Sequence, residues 1–125
     1  MKNNDNLKQY LKDVCNLYNL QGSQSEVLFY FLTKIMSEDN LIFVNKTVKE
    51  IIARDTGMSL GTVSNFLTNS INSGIFLKVA RGTYKANPNL FNKEILKDNN
   101  EISLLVSYSG DGRQVKLVEG DNYVL

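Results

Sequence analysis

The chain has 125 residues, of which 42% are hydrophobic and 22% charged, and its formal net charge is +1; this is the balance of a globular domain and not of a disordered or fibrous chain. It contains no histidine and a single cysteine, Cys15, which excludes an internal disulfide, Ser–His and Cys–His catalytic pairs and histidine zinc sites. Because the sequence also lacks a membrane-spanning run, a secretory signal and a glycine–lysine phosphate loop, we expect a cytoplasmic protein that is not an enzyme and binds no metal or cofactor.

The first predicted element is an amphipathic helix over residues 5–19, which begins near Asp5 or Asn6. Its apolar side chains recur at spacings of three and four residues, and one stripe of them contains Leu7, Leu11, Val14 and Tyr18. We interpret this stripe as a candidate dimerisation surface; the alternative is that it completes the core of a single copy. Cys15, on the same helix, is predicted to be a small core residue.

A second helix is predicted over residues 25–37, with Ser25 as its N-cap. It is apolar nearly all round, which indicates a central and buried position. A short strand over residues 41–44 follows. Thr47, with Glu50 three residues later, then predicts a capping box at the start of a third helix.

Two helices joined by a tight turn are predicted between residues 47 and 74. Gly57 ends the first of them, Ser59 caps the second and Gly74 ends it, because glycine adopts the left-handed conformation without strain. A turn of this length sets two helices at a steep angle and directs the second outward. This is the geometry of a helix-turn-helix element.

The second helix of this pair has one apolar and one uncharged polar face. At about 100° per residue, the core face is predicted to contain Leu60, Val63, Leu67 and Ile71. The outer face is predicted to contain Gly61, Thr62, Asn65, Thr68, Asn69 and Asn72. Asparagine can bond the N6 and N7 edge of adenine, and the threonine methyl can contact a thymine methyl. The pattern therefore favours a base-reading helix, with a merely polar surface as the alternative.

A basic hairpin follows, with strands predicted over residues 75–79 and 84–87 and a turn between them. Its cations are Lys78, Arg81 and Lys85, and the whole span from Met58 to Lys93 has no acidic residue. Such cations suit DNA phosphates, and an arginine beside Gly82 at the tip suits a minor groove.

Beyond the hairpin, a turn is predicted at residues 87–89 and a short helix at residues 90–97. A terminal hairpin is predicted from strands over residues 101–109 and 114–118. One face of its first strand is apolar, and this face either contacts a second copy or completes the core: Ile102, Leu104, Val106 and Tyr108.

The order helix, strand, helix, tight turn, helix, hairpin predicts an α+β, mainly α fold: a winged helix-turn-helix domain with an N-terminal amphipathic helix and a C-terminal β-hairpin. We divide the chain into residues 1–22 (N-terminal helix, dimerisation), 23–91 (DNA-binding domain) and 92–125 (C-terminal extension). The predicted DNA-binding residues are Lys46, Thr47, Ser59, Gly61, Thr62, Ser64, Asn65, Thr68, Asn69, Lys78, Arg81, Gly82 and Lys85.

Five segments also resemble the RepL-type plasmid replication initiators of Firmicutes. They are residues Lys46–Ile51, Thr56–Val63, Gly74–Ile75, Asn87–Phe91 and Ile102–Val106. The helix-turn-helix segments are shared by many regulators and do not by themselves indicate one family. The asparagine–proline–leucine segment narrows the resemblance to the RepL-type proteins. It implies a cytoplasmic bacterial protein that binds the origin of a plasmid or phage and has no nicking or ATPase activity.

The leading hypothesis is therefore a sequence-specific, double-stranded DNA-binding replication initiator, acting as a homodimer and with host replication proteins as further partners. A plasmid or phage repressor involved in copy control or transcription regulation, or an accessory factor at a transfer origin, could use the same fold. The alternative of a different class is a winged-helix module that binds protein instead of DNA.

Overall fold

A computed structural model describes residues 2–91 and 102–119. The helices are α1 (Lys2–Leu17), α2 (Ser25–Tyr30), α3 (Lys46–Thr56) and α4 (Leu60–Ser73). The strands are β1 (Leu41–Phe43), β2 (Phe76–Ala80), β3 (Thr83–Ala86), β4 (Ile102–Ser109) and β5 (Gly112–Glu119). An antiparallel sheet has the order β1-β3-β2, and β4 pairs with β5 in a second sheet. This confirms the predicted α+β, winged-helix arrangement.

The N-terminal helix α1 is part of the hydrophobic core. Leu11, Val14 and Cys15 are fully buried, and Leu7 is buried to nearly the same extent. The Tyr10 hydroxyl donates a buried hydrogen bond of 2.6 Å to the Leu90 carbonyl, far along the chain. The helix begins and ends earlier than predicted, and its burial fits the alternative in which the stripe completes the core of a single copy.

The second helix is built differently from the prediction over residues 25–37. A 3-10 turn over Gly22–Gln24 leads directly into α2, so the backbone is already helical before Ser25. The prediction of Ser25 as N-cap is therefore wrong, because the serine does not stand at a free helix end. After α2 the helix widens into a π turn over Phe31–Ile35, and the chain is extended at Met36.

The start of α3 is capped by Asn45. Its side-chain oxygen accepts the Val48 N–H at 2.9 Å. The capping box predicted at Thr47 and Glu50 is wrong, because Thr47 already lies inside the helix. Asparagine two residues upstream is at least as strong a cap as threonine, and it sets the first turn.

The ends of α3 and α4 follow the prediction. Gly57 and Gly74 have left-handed backbones, with φ of 73° and 89°, and the Ser59 hydroxyl accepts the Thr62 N–H at 3.0 Å. The buried face of α4 consists of Val63, Phe66, Leu67 and Ser70. Leu60 was predicted on this face but is 41% exposed, since it occupies the first turn of α4, beyond the edge of the core.

Three phenylalanines hold α4 against the rest of the domain. Phe31, Phe66 and Phe76 come from the π turn, α4 and β2, and their ring centroids lie 5.6–5.9 Å apart. The Phe31 and Phe66 rings are stacked, and Phe76 meets both edge-on. All three are fully buried, so they fix the direction in which α4 faces solvent.

The predicted hairpin is formed by β2 and β3, with Arg81 and Gly82 at its tip and an irregular register between Lys78 and Ala80. Strand β1 pairs with β3 on its other side. The tip is tied to this strand, because the Val44 N–H donates to the Gly82 carbonyl at 2.8 Å. We call this three-stranded sheet and its tip the wing.

The segment after the wing is buried and well bonded. Leu90 and Phe91 are fully buried. The Asn40 amide donates to the Phe91 carbonyl at 2.8 Å, and the Asn87 amide donates to the Gly74 carbonyl at 2.9 Å. The predicted turn at residues 87–89 is confirmed, whereas most of the predicted helix at residues 90–97 lies outside the described residues.

The terminal hairpin of β4 and β5 packs on the core through one face, which fits the alternative in which this face completes the core of a single copy. Leu104 and Val106 pack against the core, and Val115 is buried. Tyr108 continues the same face but is 77% exposed; the side chain of Ile102 lies outside the described residues. Within residues 2–91 and 102–119, none of the helices combines the length and apolar character that a membrane span requires.

Candidate nucleic-acid interface

The outer face of α4 is exposed, polar and uncharged. Asn65, Thr68, Asn69 and Asn72 are exposed, as is Gly61. Because the opposite face packs against the phenylalanine cluster, this outer face is open to solvent. A helix with its side chains is about 10–12 Å wide, close to the width of the DNA major groove of about 12 Å.

The start of α4 carries a small hydroxyl cluster. The hydroxyl oxygens of Ser59 and Thr62 lie 2.9 Å apart, and the Thr62 side chain is half-buried. Ser64 is also half-buried, and its carbonyl accepts the Thr68 hydroxyl at 3.2 Å. Ser59 is therefore engaged in capping, and Ser64 is less accessible than the asparagines beside it.

The cations of the wing do not all share one face. Lys78 stands opposite Tyr84, whereas Lys85 stands opposite Leu77 in the adjacent row, and successive rows of a strand alternate between faces. Arg81 is exposed at the tip. No carboxylate in the described part of the chain forms an ion pair with these cations, so their charges are available to a partner.

The start of α3 lies beside the wing tip. The hydrogen bond from Val44 to Gly82 joins the tip to the chain two residues before α3 begins. Lys46 and Thr47 are exposed in the first turn of α3. The fold therefore brings the start of α3, which carries these two predicted residues, close to the wing tip.

A hydrogen bond on the surface fixes α3 against α2. The Tyr30 hydroxyl donates to an Asp55 carboxylate oxygen at 2.6 Å, and the Arg54 side chain contacts the other oxygen at 3.2 Å. The hydrogen bond from Tyr30 lowers the pKa of Asp55, and the same bond raises the pKa of Tyr30. This contact joins α2 to the first helix of the helix-turn-helix pair. It could not be predicted from the sequence, because Tyr30 and Asp55 lie 25 residues apart.

Three residues absent from the predicted site adjoin α4. Asn19, Gln21 and Gln24, from the segment joining α1 to α2, line a groove together with Asn65 and Asn69. Their amide side chains carry the same donor–acceptor chemistry as the predicted ones. Their composition was visible in the sequence, but their position beside α4 depends on the packing of α1.

Three of the four residues predicted for dimerisation are buried, and the fourth is half-buried. Leu7, Leu11 and Val14 are buried within a single copy, and Tyr18 packs partly against the same core. The Arg113 guanidinium lies 6.0 Å from the Tyr18 ring centroid and donates to the Leu17 carbonyl at 2.8 Å. The C-terminal hairpin therefore covers the end of α1.

The described residues assemble no group of three or more His, Cys, Asp or Glu side chains that could hold a metal ion. Cys15 is fully buried, and burial raises the pKa of its thiol to about 11. A thiol in this state is protonated at neutral pH and is a poor nucleophile.

A family model described as Firmicute plasmid replication protein (RepL) matches residues 2–120. The chain belongs to this family. No curated protein and no solved structure matched. Membership confirms the resemblance drawn from the five sequence segments and extends it over residues 2–120, α1 included. It also favours a replication role over the repressor and transfer-origin alternatives, since the family is defined by plasmid replication.

Proposed function

We propose that this RepL-family protein acts in plasmid replication by binding double-stranded DNA at an origin, with α4 in the major groove and the wing on the flanking backbone. The observation that carries the proposal is the outer face of α4, which is exposed, free of charge and rich in carboxamides. Such a face can hydrogen-bond base edges without competition from ion pairs.

The charges of the side chains indicate which residues contact bases and which contact phosphates. Asn65 and its neighbours contribute hydrogen bonds that depend on base identity, whereas Arg81 and Lys78 contribute attraction to any phosphate. Lys46 and Thr47, at the exposed start of α3 beside the wing tip, are placed to contact the same backbone.

The test begins by selecting a duplex from a random DNA pool with the wild-type protein. Asn65→Ala is expected to reduce affinity for the selected site by about 1–3 kcal/mol and to leave affinity for random duplex nearly unchanged. Arg81→Ala is expected to weaken both and to reduce the slope of log affinity against log salt by about 0.9. Asn16→Ala and Lys12→Ala, exposed positions on α1, are the matched controls.

The contrary outcomes are distinct. If Arg81→Ala abolishes discrimination while Asn65→Ala has no effect, the wing reads the sequence and α4 is a scaffold. If the wild-type protein selects no duplex, the proposal fails in favour of a protein-binding module. Rescue of a plasmid lacking its initiator gene, by the wild type but not by Asn65→Ala, would link the binding to replication.

A homodimer belongs to this proposal, because two copies would bind half-sites related by the symmetry of the DNA. Because most of the α1 stripe is buried within one copy, we expect the subunits to meet through another surface. Sedimentation of the protein with and without the selected duplex measures the stoichiometry. Host replication proteins would join at the bound origin.

A further inference from the structure

A polar groove of about 500 Å³ runs between the α1–α2 connector and the outer face of α4. The lining residues are Asn19, Leu20, Gln21 and Gln24 from the connector and Thr62, Asn65 and Asn69 from α4. The groove therefore opens directly beside the side chains that we assign to base contacts. Its volume exceeds that of a single nucleobase.

The side chains that line the groove suit a nucleobase better than a phosphate. It contains carboxamides and a hydroxyl, with one leucine and no charged residue. A phosphate only accepts hydrogen bonds and carries negative charge, so its sites are built from cations and N–H donors. Nucleobase edges both donate and accept, as carboxamides do. The absence of lysine and arginine from this lining therefore points to a base and not to the backbone.

Gln24 supplies an unfilled acceptor. The residue is only 8% exposed, and its side-chain oxygen is buried without a hydrogen-bond partner among the described residues. A buried acceptor without a partner is unfavourable. A donor on a ligand would relieve this once the Gln24 side chain shifts toward the groove, since the oxygen itself is buried in the unbound protein. Exocyclic amino groups of adenine and cytosine are such donors.

The connector is held in place before any ligand binds. Asn19 has a left-handed backbone with φ of 63°, a conformation that asparagine tolerates. The N–H groups of Asn19 and Leu20 donate to carbonyls in the last turn of α1, at 3.1 and 2.8 Å. These bonds fix the backbone of the connector next to α4, so the backbone need not be ordered when a ligand binds.

We propose that this groove binds a nucleobase with an exocyclic amino group, adenine or cytosine, next to the bases contacted by α4. The inference rests on the proposed function, since α4 must first place DNA at the groove. The base comes either from an intact pair at the edge of the site or from an unpaired position within it.

Two variants remove the groove chemistry while preserving the fold. Gln24→Met keeps the length of the side chain and removes the unpartnered oxygen, so the protein should melt no lower than the wild type. Asn19→Gly removes a carboxamide and retains the left-handed backbone. Asn72→Ala, exposed on α4 but outside the groove lining, is the control.

Each protein is measured against the selected duplex and against versions with every base pair replaced in turn. We expect the wild type to prefer adenine or cytosine at one or two positions that the control variant Asn72→Ala leaves intact. Gln24→Met and Asn19→Gly should reduce the preference at those positions by about tenfold, without altering the others. A duplex with an abasic site opposite the preferred base tests whether the bound base is paired or unpaired. Tighter binding than to the intact duplex would identify an unpaired base, and equal or weaker binding would identify a paired one.

If both variants melt like the wild type and keep its discrimination at every position, the groove inference is overturned while the proposed function stands. If the wild type selects no duplex, the proposed function itself fails, and this inference fails with it.

Discussion

Gly57 and Gly82 have the same backbone angle in different surroundings. Their φ values are 73° and 74°, but an added Cβ would meet nothing within 4 Å at Gly57 and the Val44 carbonyl at 3.1 Å at Gly82. Gly57→Ala should reduce the free energy of unfolding by about 1 kcal/mol, the cost of the left-handed backbone. Gly82→Ala should reduce it further, because the wing tip must move away from Val44.

Chemical denaturation of both variants measures the difference. Gly57→Asn is the control for backbone strain and should lose less than the alanine variant, because asparagine tolerates this conformation. Equal losses for Gly57→Ala and Gly82→Ala would mean that the wing tip relaxes freely, contrary to the tie seen between Val44 and Gly82.

Among the secondary-structure elements, α1 is part of the hydrophobic core and not a separate helix attached to the domain. Leu11 is fully buried and Lys12 beside it is exposed. Leu11→Ala should therefore cost about 2–5 kcal/mol, whereas Lys12→Ala should change stability little. Thermal and urea unfolding compare the two. Loss of self-association without loss of stability in Leu11→Ala would instead support a dimer surface on α1.

The contact between α2 and α3 predicts a pH dependence. The Tyr30–Asp55 bond holds the pKa of Asp55 below its ordinary 3.8 and raises that of Tyr30 above 10.0. Its stabilisation is present above the unfolded pKa of Asp55 and lost as pH falls through the lower folded value. It is likewise lost at the alkaline end, as pH rises through the raised pKa of Tyr30.

Tyr30→Phe should therefore be less stable than the wild type near neutral pH, and the difference should disappear as pH falls below 3.8 and through the lowered pKa of Asp55. Tyr108→Phe, at an exposed tyrosine, controls for removal of a hydroxyl. Denaturant titrations across this range make the measurement, and a difference independent of pH would contradict the assignment.

Local patterns explain which elements were predictable. Gly57, Ser59 and Gly74 act through their own backbone and near neighbours, so their roles follow from sequence. Asn45 and Thr47 are both acceptable caps, and only the packed structure shows which one begins α3. The apolar stripe on α1 likewise predicted that one face of the helix is buried, but it did not show which part of the molecule covers that face.

For the molecule as a whole, Cys15 reports whether α1 and the rest of the core unfold together. The thiol is fully buried and its pKa is raised to about 11. Labelling by a thiol reagent should be far slower in the native state than in denaturant. Its dependence on urea should follow the loss of tertiary structure measured by tyrosine fluorescence. Rapid labelling before that transition would show that α1 detaches on its own.

The candidate site was only partly predictable for a related reason. The exposed asparagines of α4 follow from helical periodicity. The amides of Asn19, Gln21 and Gln24 reach α4 only because α1 and its connector fold across the domain. Lys78 and Lys85 also looked equivalent in sequence, yet the strand register places them on opposite faces of the sheet.

The hydrogen bond between Val44 and Gly82 constrains the distance between the wing tip and α4. It joins the wing tip to the chain entering α3, and α3 is followed by α4 after a tight turn, so we expect the wing tip and α4 to keep a constant separation. On DNA, the two sets of contacts would then lie a fixed number of base pairs apart. Inserting one base pair between the two contacted segments would rotate one segment relative to the other by about 35°. A protein with a rigid connection between the wing tip and α4 could not keep both sets of contacts, so the spacing within its binding site would be fixed.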